Sequence, residues 1–372
     1  MHISSQFDSG NIEVLDASDP GDIRLSIRND AGDEHKQWFH FRAVGGKDQP
    51  CVFRIVNAKD CSYPKAWEGY QAVVSADREE WVRVETEYVD GELIIRHTPL
   101  TDSIWVAYFA PYTREQHRDL VAQCQSAGAR LEVLGTTLDG EDLDLLTIGE
   151  GPLPVWVIAR QHPGESMAEW WMDGFLGRLL DPDDALTRRC LELATFYVVP
   201  NMNPDGSRRG HLRVNAVGAN LNREWHEPTL ERSPEVKLVR DRMDQTGVGL
   251  CLDVHGDEEL PYNFISGAEG VPSWSEAREA VQTRFEVAYE VANPDFQRVH
   301  GYGRTAPGQA NMSMCTNQVA ERFPGSLAMT LEMPFKDNDN APDALFGWSP
   351  ERCSLLGATA LNAMIAVFGE LG

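Results

Sequence analysis

Four short apolar runs, Leu153-Pro-Val-Trp-Val-Ile158, Thr195-Phe-Tyr-Val-Val199, Gly249-Leu-Cys-Leu-Asp-Val254 and Leu327-Ala-Met-Thr-Leu331, punctuate the C-terminal part of the chain. Between them lie helical patterns from Met167 to Leu180, Ser233 to Gln245 and Ser275 to Val291. Strands that are apolar nearly throughout are buried on both faces, and their alternation with helices constrains this region to an α/β sheet covered by helices on each side.

The N-terminal part reads differently. Short β-rich runs divided by turn residues, such as Ile23-Arg-Leu-Ser-Ile27, Trp38-Phe-His-Phe41, Cys51-Val-Phe-Arg-Ile-Val56 and Glu92-Leu-Ile-Ile-Arg96, predict an antiparallel sandwich. Tyr112-Thr-Arg-Glu115 marks a helix start with Thr113 as its cap. The expected division is therefore a sandwich over residues 1–113 and an α/β domain over residues 114–372. With 372 residues and 42% hydrophobic content, the chain can bury the cores that two such domains need. No internal repeat or low-complexity segment is present.

A formal net charge of −25 argues against nucleic acid, which requires a clustered basic surface, and against an anionic membrane face. The opening residues, Met-His-Ile-Ser-Ser-Gln-Phe-Asp, lack a basic segment followed by an apolar stretch, and no uninterrupted run of about 18 apolar residues occurs. The expectation is a cytoplasmic protein. Seven cysteines, an odd number with no C-x-x-C pair, predict buried free thiols rather than a disulfide framework or a cysteine zinc site.

In α/β sheets, sites gather at the C-terminal ends of strands, and four such places carry unusual polar groups. Gln161-His162-Pro-Gly-Glu165 brings an imidazole and a carboxylate together across a tight turn, and both are ordinary zinc ligands. Taken alone, the motif is equally a helix start with Glu165 favoured by the helix dipole. Asp253-Val-His255-Gly-Asp257 supplies a third donor, and two His with one Glu leave a fourth position open, the pattern of a catalytic zinc. The competing reading is a histidine satisfied by Asp257 or Glu258.

Asn201-Met-Asn-Pro-Asp-Gly206 is an ordinary turn signature and is given no chemical role. Beyond it come Arg213 and Asn220-Leu-Asn222-Arg223; the planar guanidinium of Arg223 beside the Asn222 amide suits a terminal carboxylate. Glu332, at a strand end among apolar neighbours, can be desolvated enough to act as a general base, the alternative being a pair with Lys336.

Taken in order, H-x-x-E, Arg, Asn-Arg, His and Glu resemble the metallocarboxypeptidases of the carboxypeptidase A fold, most closely the cytosolic carboxypeptidase subfamily. Phe7-Asp-Ser-Gly-Asn11, Gln37-Trp-Phe-His-Phe41 and Tyr108-Phe-Ala-Pro-Tyr-Thr113 resemble landmarks of that subfamily's N-terminal sandwich. The resemblance implies a mixed central sheet and zinc (Zn2+) on His162, Glu165 and His255. It also implies oxyanion stabilisation by Arg213, carboxylate anchoring by Asn222 and Arg223, Glu332 as base, and a peptide or protein C-terminus as substrate. Two departures stand out: Asn220 occupies a position where the family usually has an Asp orienting a zinc-binding His, and no tyrosine lies between Gly308 and Cys315. Tyr302 is the nearest candidate for the family's mobile tyrosine.

The subfamily is associated with removing glutamate, for which Arg208, Arg209, Arg304 and Lys336 are basic candidates in this chain. Two other functions fit parts of the pattern: a zinc amidohydrolase acting on N-acyl amino acids, and a silent binding scaffold. The oligomeric state and the residue released do not follow from the sequence.

Overall fold

A computed structural model describes residues 1–371. Its N-terminal part holds two five-stranded sheets. One orders His2–Ser4, His40–Val44, Ser103–Ala107, Val73–Ser75 and Val82–Arg83; the other orders Glu13–Asp16, Ile23–Ser26, Cys51–Ile55, Glu92–His97 and Thr86–Val89. All pairings are antiparallel except that of Ile23–Ser26 with Cys51–Ile55, which is parallel. Apolar residues alternate inward, and the Phe41 and Phe53 rings meet 5.5 Å apart. The strand anticipated at Trp38 begins only at His40, and the Trp38 indole N–H donates to the Ser9 carbonyl at 2.8 Å.

Helix α1 (Arg114–Ser126) starts where anticipated. The Thr113 hydroxyl accepts from the Gln116 N–H and the Gln116 side chain accepts from the Thr113 N–H, closing a capping box. A seven-stranded sheet follows, built from β1 (Arg130–Thr136), β2 (Asp142–Ile148), β3 (Leu153–Ala159), β4 (Ala194–Val199), β5 (Leu250–Asp257), β6 (Phe264–Ser266) and β7 (Leu327–Pro334). Its order is β1-β2-β4-β3-β5-β7-β6, parallel across the central four and antiparallel at both edges. The sheet is thus mixed, as the resemblance implies. Strands β1 and β2 have no counterpart among the apolar runs, because an edge strand such as β1 exposes one face and lacks a continuous apolar stretch.

The remaining helices are α2 (Met167–Leu179), α3 (Ala185–Leu193), α4 (Pro204–Arg209), α5 (Pro234–Thr246), α6 (Glu276–Ala292), α7 (Cys315–Arg322) and α8 (Pro350–Ile365). Strand alternation assigns them to faces. Val155, Val157, Leu252 and Leu331 share one core with residues of α2, α6 and α8, while Trp156, Ile158 and Cys251 share the other with α5 and α7. Helices α2 and α8 approach backbone to backbone: a Cβ on Gly174 would collide with Ser354, and one on Gly357 with Trp171. The stretch Pro350–Glu370 is long and apolar enough to cross a bilayer by length and composition, but half of it is buried here, and it reads as a core helix. All seven cysteines are buried and unpaired.

The sandwich docks on the sheet end that matters for chemistry. Buried Arg83 donates to the carbonyls of Phe335 (3.0 Å) and Trp348 (3.1 Å), and Tyr108 stacks on Phe335 at 4.5 Å. Strand β7 is thereby fixed just beyond Glu332.

Candidate metal centre and substrate cleft

The first two donors owe their placement to a backbone reversal. Arg160, directly after β3, sits at φ 57°, a left-handed conformation that costs a non-glycine residue about 1 kcal/mol or more. Burial holds it there: its guanidinium donates to the carbonyls of Pro163 (2.9 Å) and Tyr112 (2.8 Å) and pairs with buried Glu169. Gly164 then passes close to Leu212, whose carbonyl accepts its N–H at 2.9 Å; a Cβ on Gly164 would meet that oxygen at 2.9 Å. His162 and Glu165 emerge facing one point just ahead of α2.

The third donor and the candidate base come from neighbouring parallel strands. His255 on β5 lies in register with Glu332 on β7, so both reach the same end of the sheet. Both stand inside their strands, which run on to Asp257 and Pro334, rather than beyond the strand ends.

The donor atoms of His162, Glu165 and His255 lie within 4.8 Å of one another, and all three residues are buried. His162 Nδ1 is 2.6 Å from Glu165 Oε1, His255 Nδ1 is 2.8 Å from Glu165 Oε2, and the two Nδ1 atoms are 3.2 Å apart. The opposite ring nitrogens are held from behind. His162 Nε2 meets Asn220 Oδ1 at 3.1 Å and His255 Nε2 lies 3.0 Å from Asp253 Oδ1. Asp253 receives the Gln161 amide at 2.6 Å, and Gln161 receives the Trp225 indole N–H at 2.8 Å. Rings oriented from behind, with two nitrogens and a carboxylate converging in front, form a donor set that fits zinc.

The charges follow. Burial pushes the His162 pKa down to about 4, keeping the ring neutral and its lone pair available. Burial would raise Glu165, but His162 and His255 outweigh it and hold the carboxyl below its usual range. Burial likewise opposes charge on His255, yet Asp253 and Glu165 carry its pKa well above the ordinary value. Burial is the largest influence on Glu332 and raises it well above the carboxylate range, with Glu165 adding to the effect. Its buried Oε2 has no hydrogen-bond partner among the described residues, and no ion pair joins Glu332 to Lys336, whose acidic neighbours are Glu259, Glu68, Asp257 and Asp339.

All seven residues singled out from the sequence, His162, Glu165, Arg213, Asn222, Arg223, His255 and Glu332, line one cavity of about 580 Å³. Asn222 Oδ1 accepts the Cys315 N–H at 2.8 Å, which fixes its amide, and the Arg223 guanidinium donates to the Asn222 carbonyl at 2.6 Å. Arg213 lies 5.7 Å beneath the Tyr63 ring, a cation–π contact contributed by the sandwich. Tyr302, left open by the sequence, also lines the cavity and donates its hydroxyl to Asp257 Oδ2 at 2.6 Å. The basic candidates do not join: Arg208 and Arg209 pair with Asp139, Arg304 pairs with Glu279, and Lys336 lies outside the lining.

Sequence reading gave no role to Asp253, Gln161, Tyr63 or Asp30, the last of which accepts the Arg213 N–H at 2.7 Å from the sandwich. The first had a signal, since a strand residue two positions before His255 points the same way. The sandwich residues had none, because only the docked fold brings Tyr63 to the cleft and Asp30 to the loop that carries Arg213.

Two imidazoles and a glutamate that converge beside a carboxylate with an unpartnered oxygen form a donor set of the kind a metallohydrolase uses, set on an α/β sheet. The chain belongs to the zinc carboxypeptidase family, whose profile matches residues 115–340, while the profile of the cytosolic carboxypeptidase N-terminal domain matches residues 3–109. A metallo-carboxypeptidase from Pseudomonas aeruginosa, solved in complex with (2-guanidinoethylmercapto)succinic acid, is 46% identical over the full length of both chains with a TM-score of 0.97. A metallo-carboxypeptidase from Burkholderia cenocepacia is 45% identical over 99% of each chain, TM-score 0.96. Cytosolic carboxypeptidase 6 of Caenorhabditis elegans is 25% identical across 71% of this chain and 64% of its own length.

Proposed function

We propose that this protein removes the C-terminal residue of a peptide, with His162, Glu165 and His255 holding one zinc ion. The observation that carries the reading is that these three donors, the unpaired Glu332 carboxylate and two guanidinium groups all face one cavity. Zinc, when bound there, supplies Lewis acidity to the scissile carbonyl and makes water acidic enough to be activated near neutral pH.

The chain's own groups do the rest. Arg223 and Asn222 hold the terminal carboxylate and set the register of the substrate. Arg213 faces the carbonyl oxygen as it gains charge. Glu332 takes a proton from the attacking water and returns it to the leaving amine, a task suited to a carboxyl whose proton affinity burial has raised. Tyr302, half-exposed in the same lining with its hydroxyl on Asp257, would cover the bound residue.

In this reading residues 1–113 form a sandwich unit that walls the cleft, residues 114–372 form the catalytic unit, and the protein works in the cytoplasm. Among the described lining residues Arg213 and Arg223 are the only arginines or lysines, and both have tasks. A glutamate side chain on the leaving residue therefore finds no third positive partner in this cleft. The guanidino-bearing dicarboxylic acid held by the Pseudomonas relative supports a ligand that carries both signs of charge.

The test is a panel of dipeptides and matched N-acyl amino acids supplied to the zinc-loaded protein. Release of free amino acids from the peptides supports the proposal; hydrolysis confined to the N-acyl amino acids contradicts it and leaves the amidohydrolase.

A further inference from the structure

One carboxylate in the cleft has no part in the chemistry proposed above. Glu258 is 7% exposed, lines the cavity, and neither hydrogen-bonds nor pairs with any other side chain among the described residues. The neighbouring Asp257 is different, since its two oxygens are taken by the N–H groups of Glu259 (2.8 Å) and Leu260 (2.5 Å) and by the Tyr302 hydroxyl. A largely buried carboxylate that has no protein partner and opens on a substrate cavity invites a partner from the substrate.

Its position along the cleft follows from its neighbours. Glu258 stands in the field of Arg213 and Glu165, and Arg213 has Tyr63, Glu258, Glu165 and Glu332 around it. Arg223, the group assigned to the terminal carboxylate, instead has Arg213, Tyr63 and Tyr302. Within the one cavity these residues line, Glu258 thus shares the surroundings of Arg213 rather than those of Arg223, which suits the part of the peptide upstream of the scissile bond. Arg213 is the one protein cation whose charge reaches Glu258, and the two form no ion pair among the described residues; Arg213 lies instead against the Tyr63 ring, and the acidic neighbours of Lys336 are Glu259, Glu68, Asp257 and Asp339.

We infer that Glu258 is a subsite for a cationic group on the acyl side of the scissile bond. That group is an ammonium or guanidinium, supplied either by the free N-terminus of a dipeptide or by a Lys or Arg side chain one residue before the cut. A charge-assisted contact of this kind, made in a buried site, both orients the peptide and selects against neutral or acidic residues there. The inference rests on the carboxypeptidase reading for the direction of the peptide.

The experiment measures peptide binding by calorimetry in zinc-loaded Glu332→Gln protein, where hydrolysis is blocked, and in the Glu332→Gln/Glu258→Gln double variant. The ligands are Ala-Leu, N-acetyl-Ala-Leu, N-acetyl-Lys-Leu and N-acetyl-norleucyl-Leu. The expected result is that a cationic ligand binds about tenfold or more tightly than its neutral match in Glu332→Gln, and that this ratio collapses toward one in the double variant. A ratio carried by Ala-Leu identifies the peptide N-terminus as the source, and one carried by the lysyl peptide identifies the side chain. Equal binding of charged and neutral ligands, or a ratio that survives Glu258→Gln, overturns the subsite. Hydrolysis of the same peptides by the wild type separates the two readings: peptides cut without any cationic preference leave the carboxypeptidase and remove the subsite. Peptides bound with that preference but not cut do the reverse, and peptides neither bound nor cut overturn both.

Discussion

The Asp30 carboxylate, on the N-terminal sandwich, accepts the backbone N–H of Arg213 at 2.7 Å across the interface with the catalytic sheet. The same carboxylate accepts from Leu212 at 2.7 Å and Val214 at 3.2 Å, and Asp30 is 2% exposed. Three consecutive N–H groups are thus gathered on one anion, and the loop that carries Arg213 takes its shape from a residue far away in sequence. Asp30 is a positioning residue: it touches no substrate, yet it fixes the guanidinium proposed to do so.

Asp30→Ala should therefore do more than destabilise. Leaving buried N–H groups without an acceptor costs about 1–3 kcal/mol, visible as a lower midpoint in denaturant. Beyond that, kcat should fall about tenfold or more while KM changes less, because the loosened Arg213 is needed most as charge develops. Unchanged kcat in a folded Asp30→Ala protein would show that the loop holds its shape without the anion.

Arg213 and Arg223 face the same cavity but should fail differently. Arg213→Ala should lower kcat about 10²–10³-fold, the effect of losing one preorganised oxyanion donor. Arg223→Ala should mainly raise KM, because a grip on the terminal carboxylate is equally strong before and during reaction. A Michaelis constant left untouched by Arg223→Ala would remove the anchoring role.

Behind the donors, Asp253 stands 3.0 Å from His255 Nε2, whereas His162 Nε2 has the neutral Asn220. Asp253→Asn should weaken zinc affinity about 10- to 100-fold, and Asn220→Asp should strengthen it, both read by competition with a chromogenic chelator. Equal affinity in all three proteins would mean that these partners do not tune the metal.

Much of this was legible in the sequence. The four apolar runs became β3, β4, β5 and β7, and Thr113, Ser233 and Ser275 lie immediately before α1, α5 and α6. Strands buried on both faces and helix caps are local signals; His162 and Glu165 follow β3 closely, while His255 and Glu332 lie within β5 and β7. The edge strand β1 was not legible, since Val133 is 46% exposed and the strand lacks a continuous apolar run. Nor were Asp30 and Tyr63, whose roles exist only through docking of the sandwich.

A second buried network predicts a pH effect on stability. His117 lies 2.8 Å from Glu169 and 3.4 Å from Asp144; burial opposes its charge, but the two carboxylates outweigh burial and raise its pKa to about 9. A folded pKa above the unfolded value of about 6.5 means that the stabilisation is complete below pH 6.5 and is lost as pH rises through 9. The amount is on the order of 3 kcal/mol at most, at 1.36 kcal/mol per unit. Denaturant midpoints of the wild type should fall across this window, and those of His117→Gln should fall less. Parallel slopes in the two proteins would assign the effect elsewhere.

The most direct measurement is zinc per chain by mass spectrometry on the purified wild type and on His162→Ala, paired with C-terminal trimming of peptides ending in Glu, Asp, Lys, Phe or Leu. About one zinc per wild-type chain, lost in His162→Ala together with trimming, is the predicted result. Trimming that persists in a zinc-free His162→Ala protein, or a wild type that takes up no zinc, would contradict the metal centre on which the proposed function depends.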